Sequence, residues 1–571
     1  MYVLPSTWIL PPGHTLAVTP AMPSFRPLAD SGLLIELDRR LDPDVNARAR
    51  ALAAHLRAIP GVIETVPALS SALVVFDPLS TDLPALLEAA EAAADSPRMP
   101  SAPIGRRIDV PVVYGGAAGP DLEDVAAACG LTPDQVVEEH AGVEYAVYML
   151  GFTPGYPYLG VLPRGLRLPR LAAPRLRVAP GSVAIADGLA GIYPMESAGG
   201  WRIIGRTPLS IYDPHDADPV LFRPGDRVRF IPISTATFPS TRGAASIPRP
   251  AHAVFEVRSG GLYTTVQDLG RPGFRSLGIP TGGAMDPFAL QAANLAAGNP
   301  PGAAALEVTT PGPALRVLAD VRLALAGADL GAVLDGTAIE PSRPFRVHPG
   351  QLLEFGAPRR GVWGYLAVRG GIDARLVMGS AATFVPGLLG GSGGRRMREG
   401  DIIGHAAHHG GAVVEGLDVP LPGAEITVRV IPGPQDEWLT EDARTRLFGE
   451  VFTIGLHMDR AGARLEGPPL DHRLAGDFLS DGLLPGAIQI PSGGQPIIIL
   501  PDGPTTGGYP KAAAVISADL RLVAQSPPGT KLRFKAVSME EAVGALRAQR
   551  DQLRDKGYGI RDTGEEIEEC S

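Results

Sequence analysis

A pattern of glycine turns and alternating apolar residues occurs once in each half of this 571-residue chain. The first copy consists of PGSVAI at 180–185, GGW at 199–201 and RPGDRVRF at 223–230. The second consists of PGAIQI at 485–490, GGY at 507–509 and PPGTKLRF at 527–534. Gly181 and Gly225 are 44 positions apart, and Gly486 and Gly529 are 43 apart. The copies therefore agree in spacing as well as in residue type, which indicates an internal duplication.

Alternating apolar residues between glycine turns are typical of short, paired strands. The sequence therefore predicts duplicated β-barrel modules, with GGYPK at the place in the second module that GGWRIIGR has in the first. A weaker copy of the pattern, HPGQLLEFGAPRRGVWGYLAV, lies at 348–368. The 70 glycines and 58 prolines also favour many short strands over long helices. We predict a mainly β protein with α+β parts.

The length of the chain predicts several domains. Residues 24–100 alternate strand and helix patterns, which predicts a small α+β domain with its helices on one face of a sheet. A barrel domain at 101–235, a Ser/Thr/Pro-rich linker at 236–252 and a tandem barrel domain at 253–538 follow. Residues 1–23 are interpreted as an extension, either disordered or a wrongly assigned start before Met22. Residues 539–571 are interpreted as an amphipathic helix with a frayed acidic end.

The charge, the apolar runs and the cysteines of the chain argue against several classes of protein. A net charge of −10 is the opposite of what a broad nucleic-acid-binding surface needs. The sequence contains no apolar run of the length of a membrane span, and its first residues do not form a convincing signal peptide. The two cysteines, Cys129 and Cys570, fit neither a disulfide framework nor a zinc site. We therefore predict a soluble cytoplasmic protein that binds neither nucleic acid nor membrane.

Lys511, the first of only four lysines in the chain, stands at the end of the second glycine turn. An ammonium is a compact charge whose pKa can shift, whereas a guanidinium is planar and permanently protonated. A site that donates a proton, or directs one charge at an amide oxygen, has reason to use lysine. Lys511 is therefore a catalytic candidate, and a strand lysine that extends its charge to water is the structural alternative.

The residues around the two glycine turns are candidates for substrate binding. Trp201 could stack on a flat ring and Arg206 could bind an anion. Paired glycines allow a tight turn or a close approach of a ligand to the backbone. An ordinary turn beside a core tryptophan explains the same residues without a ligand. The corresponding candidates of the second module are Gly507, Gly508, Tyr509, Gln495 and Asp502.

Other motifs allow a functional and a structural interpretation. His140 could be a general acid or base, or a cation at the C-terminus of a helix. HAAHH at 405–409 could place two histidines on one helix face, but no carboxylate follows at zinc-site spacing, so we predict no metal site. The five arginines at 164–177 could bind an anion or be paired internally. GLLGGSGGRRM at 387–397 could hold a phosphate or be a surface loop.

Longer motifs resemble known proteins. GFTPGYPYLG at 151–160 and AGGWRIIGRTPLSIYDP at 198–214 resemble the B subunit of bacterial ATP-dependent 5-oxoprolinase, the sporulation-kinase inhibitor family. TTVQDLGRPGFRSLGIPTGGAMDPFALQAANLAAGN at 264–299, DRAGARLEG at 459–467 and PSGGQPIIILPDGPTTGGYPK at 491–511 resemble the C subunit of the same enzyme. The same modules form the carboxyltransferase part of urea carboxylase. The resemblance implies a cyclophilin-like barrel in each half.

The resemblance also adds candidate residues and departs from the family pattern in places. It adds Arg460 to the catalytic candidates and Tyr156 to the substrate-binding ones, and it strengthens His140, because the family commonly has a histidine there. Tyr156 stands where a phenylalanine is usual. Ala461 and Ala463 stand where methionine and tyrosine are usual, which changes part of the expected pocket wall.

The function implied by the resemblance is a fused B and C component of 5-oxoprolinase. With the separate A component of that enzyme and ATP it would open the lactam of 5-oxoproline to glutamate, and the chain itself contains no Walker motif. An alternative is the carboxyltransferase of a biotin-dependent urea or amide carboxylase, which would use carboxybiotin. A further alternative is a non-enzymatic regulator of a histidine kinase. The expected partners are the A component of 5-oxoprolinase, a small amide substrate and a second copy of the chain in a homo-oligomer.

Overall fold

The computed structural model describes residues 23–95, 105–238, 249–406, 411–414, 416–474 and 478–554. The predicted N-terminal extension up to residue 22, the acidic end beyond residue 554 and most of the predicted linker lie outside these ranges. In the part that is described, no helix combines the length and the apolar composition that a membrane span requires.

The N-terminal unit is a four-stranded antiparallel sheet with two helices packed on it. Its elements are β1 (Ser24–Leu28), β2 (Gly32–Glu36), α1 (Pro43–Leu56), β3 (Val62–Pro67), β4 (Ser71–Phe76) and α2 (Leu83–Asp95). Helix α1 begins where Asp42 accepts hydrogen bonds from the backbone of Asp44 and Val45, with Pro43 in the first turn. The predicted α+β architecture is confirmed, with β1 as an additional edge strand.

The first barrel is closed by seven strands, and two helices cross one side of it. Its elements are β5 (Arg107–Tyr114), α3 (Leu122–Cys129), α4 (Pro133–Ala141), β6 (Glu144–Leu150), β7 (Pro157–Gly160), β8 (Arg175–Val178), β9 (Ser182–Ala186), β10 (Leu189–Ile192), β11 (Ser197–Gly199), β12 (Arg202–Arg206) and β13 (Arg227–Pro232). Strands β8 and β11 pair with each other outside the barrel.

A unit of two sheets follows, and a long helix packs on strands of the second sheet. Its elements are β14 (Ala253–Ser259), β15 (Thr265–Gln267), α5 (Pro287–Ala297), β16 (Ala305–Val308), β17 (Ala314–Val317), β18 (Val321–Asp329), β19 (Ala332–Leu334), β20 (Thr337–Ala338), β21 (Pro344–Val347), β22 (Leu352–Phe355), β23 (Arg360–Val368), β24 (Ile372–Asp373) and β25 (Ile402–His405).

The second barrel is also closed by seven strands. Its elements, with the C-terminal helix, are β26 (Glu425–Pro432), α6 (Glu441–Gly449), β27 (Phe452–Met458), β28 (Gly462–Glu466), β29 (Asp481–Gly482), β30 (Ala487–Gln489), β31 (Ile497–Ile499), β32 (Thr506–Gly507), β33 (Lys511–Val515), α7 (Leu520–Ala524), β34 (Lys531–Ala536) and α8 (Met539–Arg554). Strands β29 and β32 pair outside the barrel, as β8 and β11 do in the first.

The two barrels have the same strand order. Going round the first, the neighbours are β5, β12, β9, β10, β7, β6 and β13, and round the second they are β26, β33, β30, β31, β28, β27 and β34. In each barrel the first and last of these strands pair in parallel, while the other pairs are antiparallel. The predicted duplication is confirmed, and Trp201 and Tyr509 occupy corresponding positions before β12 and β33.

The repeated Pro-Gly dipeptides form the turns that fix this order. Gly181, Gly225, Gly486 and Gly529 have φ values of 82°, 96°, 93° and 91°. A turn of this kind needs a left-handed residue after the proline, and glycine adopts that conformation without steric cost. Gly350 of the weaker copy has φ 93°, but β22 and β23 of that segment belong to two different sheets.

The first and second halves of the chain are in direct contact. Glu64 of β3 and Arg275 form a buried ion pair, with 3.2 Å between Oε1 and Nε. Asp30, which follows β1, accepts hydrogen bonds from the backbone and hydroxyl of Ser517. Gly151 of the first barrel lies against Thr506 of the second. These contacts join the N-terminal sheet to the second half of the chain and the first barrel to the second.

Candidate active site

Lys511 is the first residue of β33 and is fully buried. Its Nζ forms an ion pair with Oδ1 of Asp481, the first residue of β29. Strand β33 begins directly after the GGYP turn. The turn follows β32, which pairs with β29, so Lys511 lies close to Asp481 at the start of its strand. The side chain does not extend to water, and the structural alternative from the sequence does not describe its position.

Gln435 holds both members of this ion pair. Its Nε2 donates to Oδ2 of Asp481 at 2.9 Å, and its Oε1 accepts from the backbone N of Lys511 at 3.1 Å. Its own backbone N donates to the carbonyl of Lys511 at 3.2 Å. Both oxygens of Asp481 are therefore occupied, and the geometry of the pair is fixed from three directions.

The surroundings of the pair combine a second carboxylate with aromatic rings. Lys511 Nζ lies 5.3 Å from the centre of the Phe478 ring, which packs edge-on against Trp438. Burial raises the pKa of the Asp481 carboxyl to about 6, although the ammonium of Lys511 opposes this. Burial also raises the pKa of Glu36, which comes from the N-terminal unit, and Lys511 again opposes it. The cluster is therefore able to hold a proton near neutral pH.

Arg460 forms a second buried cluster in the same barrel. Its Nε and Nη2 bind the two carboxylate oxygens of Asp502 at 2.7 and 3.0 Å, and its Nη1 binds Glu307 of β16. Nη2 also donates to the carbonyl of Gly283 at 2.6 Å. Burial alone would lower the pKa of Arg460, but the two carboxylates outweigh it and raise the pKa. Each guanidinium nitrogen has an acceptor, so the cluster joins the second barrel to the two-sheet unit.

One loop connects the two clusters. Asp502 lies near the start of the connection from β31 to β33, and Lys511 lies at its end. Gly507 and Gly508 lie between them, and a Cβ on Gly507 would meet the side chain of Gln489 at 2.5 Å. Tyr509 is 46% exposed and lies two residues before Lys511, the first residue of β33.

Tyr156 and Trp201 belong to an aromatic cluster of the first barrel. Their ring centres are 5.8 Å apart, and Tyr193 lies 5.1 Å from Tyr156. All three are buried, and Leu479 of the second half packs against them. Leu479 follows Phe478 in the chain, so this cluster adjoins the surroundings of Lys511. The sequence therefore predicted two groups of residues, one from each barrel, that the fold brings close together.

Three predicted site residues lie elsewhere. His140 is completely buried in the core of the first barrel, where Tyr114 is its hydrogen-bond partner at 2.8 Å and burial lowers its pKa to about 3. Gln495 pairs with the backbone of Gly467 at 3.0 and 3.1 Å. Arg206 lies at the far end of β12 from Trp201 and donates to the carbonyl of Pro180. A neutral, enclosed His140 is better explained by packing than by proton transfer.

Several sequence candidates have structural explanations. Four of the five arginines at 164–177 have partners: Arg167 with the carbonyl of Leu162, Arg170 with Asp187, Arg175 with Asp121, and Arg177 with Glu196. His405 ends a strand, and His409 lies outside the described residues. Among the residues that are described, no three metal-ligating side chains form a cluster. Ala463 is buried in the barrel core rather than on a pocket wall.

The sequence did not indicate Asp481, Gln435, Glu36 or Phe478 as parts of the site. They come from separate segments and carry no local motif. Asp481 lies on β29, which pairs with β32 in the glycine turn before Lys511, and the sequence alone does not reveal that pairing.

Two family descriptions match the chain. Residues 23–222 match "Carboxyltransferase domain, subdomain C and D", and residues 277–536 match "Carboxyltransferase domain, subdomain A and B". The matches cover the N-terminal unit with most of the first barrel, and most of the two-sheet unit with the second barrel.

Curated relatives match the two halves separately. The second half is 39% identical over 295 residues to the C subunit of 5-oxoprolinase from Escherichia coli (strain K12), which is 52% of this chain and 94% of that protein. The first half is 44% identical over 206 residues to the B subunit of 5-oxoprolinase from Escherichia coli O157:H7, which is 36% of this chain and 94% of that protein.

Solved structures match most of this chain or about half of it. The crystal structure of a protein named TTHA0988 is 36% identical with a TM-score of 0.80, and the match covers 88% of this chain and 99% of that one. The K. lactis urea amidolyase is 28% identical with a TM-score of 0.51, over 54% of this chain and 20% of the amidolyase.

Proposed function

This chain belongs to the carboxyltransferase-domain family that includes the B and C subunits of 5-oxoprolinase, and from that membership we propose that it is the fused B and C component of an ATP-dependent 5-oxoprolinase. In this proposal it acts with the separate A component of that enzyme and opens 5-oxo-L-proline to L-glutamate. The observation that carries the proposal is that one polypeptide contains almost the full length of both relatives, in the order B then C.

The arrangement of the two halves supports a joint function. Segment 478–484 of the C-like half lies between the aromatic cluster of the first barrel and the N-terminal sheet, where Leu73 contacts Gly482. The same segment provides Phe478 and Asp481 to the surroundings of Lys511. Separation of the halves would therefore disturb the candidate site itself.

The chemistry of the site suits a cyclic amide. A lactam is a stable amide, so ring opening needs energy from ATP and stabilisation of charge on the amide oxygen. In our proposal the ammonium of Lys511 binds that oxygen while a water molecule adds its hydroxyl to the carbonyl carbon. The bond from that carbon to the ring nitrogen then breaks, and Asp481 passes the proton released by the water to the nitrogen. Because Lys511 is fully enclosed, Phe478 or the loop with Tyr509 must move to admit the substrate.

A carboxyltransferase of a biotin-dependent urea or amide carboxylase is the second candidate. It is favoured by the family descriptions and by the similarity of about half of the chain to the K. lactis urea amidolyase. An ammonium beside an amide oxygen would suit carboxyl transfer from carboxybiotin equally well. The chain spans 17% of the Lachancea kluyveri urea amidolyase, so most of that protein has no counterpart here.

The two candidates differ in substrate and product. The purified chain and the purified A component should form glutamate from 5-oxoproline only when ATP is present. The same chain should not form carboxylated urea from carboxybiotin and urea. The opposite pattern of products would exclude the oxoprolinase proposal and support carboxyl transfer.

A further inference from the structure

A cleft of about 420 Å³ lies between the two halves of the chain, apart from the candidate active site. His215 of the first half lines one side, and Arg249, which precedes the two-sheet unit, lines another. The remaining wall comes from the two-sheet unit and includes Asp373, Arg375 and the glycine loop at 390–394. A volume of this size accommodates a small ligand.

The glycine loop at 390–394 lines this cleft. Gly390, Gly391, Gly393 and Gly394 all have positive φ, between 49° and 72°. The amides of Gly391 and Gly394 bond to carbonyls of the protein. Among the described residues, the amides of Ser392 and Gly393 have no hydrogen-bond partner. Successive free amides in such a turn form a concave site for an anion.

The side chains that line the cleft are predominantly basic. In the described part of the chain, neither Arg249 nor Arg375 forms a hydrogen bond or an ion pair. Among the described residues that line the cleft, Asp373 is the single carboxylate. Other arginines near the surface are paired with a carboxylate, as Arg395 is with Asp401 beside the same loop. Two unpaired guanidinium groups therefore face one shared space.

A buried positive charge lies directly behind the loop. Arg271 is 1% exposed and contacts the carbonyl of Ala382 through Nη2. Its Nε and Nη1 have no hydrogen-bond partner among the residues that the structure describes. The same Nη2 lies 2.7 Å from the position that a Cβ on Gly390 would take, so the guanidinium supports the wall of the cleft. Asp268 and Asp502 offset part of the cost of this buried charge, and an anion in the cleft would offset more of it.

We propose that this cleft binds a phosphate group. The free amides of Ser392 and Gly393 would bind phosphate oxygens, and Arg249 and Arg375 would neutralise their charge. The ligand would contact both halves of the chain, since His215 and the glycine loop lie on opposite sides of the linker in sequence. The phosphate can come from inorganic pyrophosphate or from the polyphosphate of a nucleotide, because both present the same oxygens.

Calorimetric titration of the full chain with inorganic pyrophosphate at fixed ionic strength tests this proposal. The double variant Arg249→Glu/Arg375→Glu should weaken the affinity at least about tenfold, since it replaces two charge-assisted contacts with repulsion. Arg375→Gln alone should weaken it less. Arg316→Glu is the matched control, because Arg316 is exposed on β17 and does not line the cleft. It should bind pyrophosphate like the unaltered chain.

A competition experiment distinguishes the two possible ligands, inorganic pyrophosphate and the polyphosphate of a nucleotide. If ATP displaces pyrophosphate and the double variant weakens both, the cleft accepts the phosphates of a nucleotide. If ATP does not displace pyrophosphate, the ligand is a free phosphate species. The proposal is overturned if the unaltered chain does not bind pyrophosphate, or if the double variant binds it as tightly as Arg316→Glu. Because this is a binding measurement on the chain alone, its result is independent of the proposed ring-opening activity.

Discussion

At the scale of single residues, the buried pair of Lys511 and Asp481 is difficult to explain by stability. Removing two charges from water costs several kcal/mol per ion, and a buried ion pair often contributes no more than apolar side chains of the same volume. Gln435 reduces the cost by satisfying the second oxygen of Asp481. A pair that adds little to stability and is held this firmly is better explained by chemistry.

Substitution of Lys511 should remove activity. With the A component and ATP present, Lys511→Met should lower turnover of 5-oxoproline about 100-fold to 1,000-fold, because one electrostatic contact to the developing charge is lost. Lys511→Arg should restore little, since the guanidinium is larger, planar and permanently protonated. Glutamate formation is the measurement, at matched thermal stability.

The control for this series is Lys535→Met. Lys535 is exposed on β34, so its removal tests the loss of a lysine without change to the site. It should leave turnover unchanged. A stable Lys511→Arg variant with the turnover of the unaltered chain would refute the catalytic assignment.

Asp481 should also give the fold a characteristic pH dependence. Its pKa is raised from 3.8 to about 6 by burial, so the folded state binds more protons than the unfolded state between these values. Its contribution therefore makes the free energy of unfolding decrease as the pH rises from about 4 to about 6. Asp481→Asn should flatten the pH profile of denaturant midpoints in this window. An unchanged slope would show that Asp481 is not the group that retains the proton.

The sequence predicted part of the site at this scale. Lys511 stood out because the chain uses arginine almost everywhere else, and its place after a repeated glycine turn is local information. Asp481, Gln435 and Glu36 could not be predicted, since only folding brings their segments together. His140 was predicted from its residue type and its family, and neither reveals that the barrel core encloses it.

At the scale of elements, the Pro-Gly turns should differ in their tolerance of substitution. Gly181→Ala and Gly486→Ala should each destabilise the fold by more than about 1–2 kcal/mol. Both positions have φ above 80°, and a Cβ would lie 2.5 Å from the carbonyl of Thr207 or 2.7 Å from that of Val515. Gly529→Ala should cost only the backbone strain, because open space surrounds that position.

A glycine of helix α8 provides the opposite control. Gly544 has open space around it and no positive φ, so Gly544→Ala should stabilise the protein by roughly 0.5–1 kcal/mol. Chemical denaturation of the four variants is the measurement. Equal effects of Gly181→Ala and Gly529→Ala would contradict the role of the close carbonyl.

The sequence predicted the elements best where a turn has a strict backbone requirement. The Pro-Gly and Gly-Gly positions located the strands of both barrels, because few residues other than glycine accept the left-handed conformation. The two-sheet unit was less predictable: its segment at 348–368 shares the turn, but the strands on either side of it join different sheets. Strand β1 was not predicted, because Pro27 interrupts its strand pattern. An edge strand tolerates a proline, and β1 lies at the edge of its sheet.

At the scale of the whole molecule, the Glu64–Arg275 pair should couple the two halves. Arg275→Met leaves the Glu64 carboxylate buried without its counter-charge, although the backbone N of residue 275 still donates to it, and should destabilise the protein by about 3–5 kcal/mol. The double variant Glu64→Met/Arg275→Met should be less destabilised than Arg275→Met alone, since no buried charge remains. Melting temperatures of the single and double variants are the measurement, and strictly additive losses would contradict a direct coupling.

The sequence did not predict how the two halves pack together, although it did indicate the family that each half resembles. The matched spacing predicted two modules, and the longer motifs indicated which family each module resembles. Neither source specifies that residues 478–484 lie between the first barrel and the N-terminal sheet, because that position depends on the packing of apolar surfaces distant in sequence. The cleft at the glycine loop likewise arises from three segments and has no single motif.

The most direct test of the central claim is glutamate formation from 5-oxo-L-proline in three parallel reactions with ATP. One contains this chain alone, one contains the A component of 5-oxoprolinase alone, and one contains both. We expect glutamate only in the combined reaction, with a rate that saturates as this chain is titrated into a fixed amount of the A component. Glutamate at the same rate without this chain, or none in the combined reaction, would contradict its assignment as the fused B and C component.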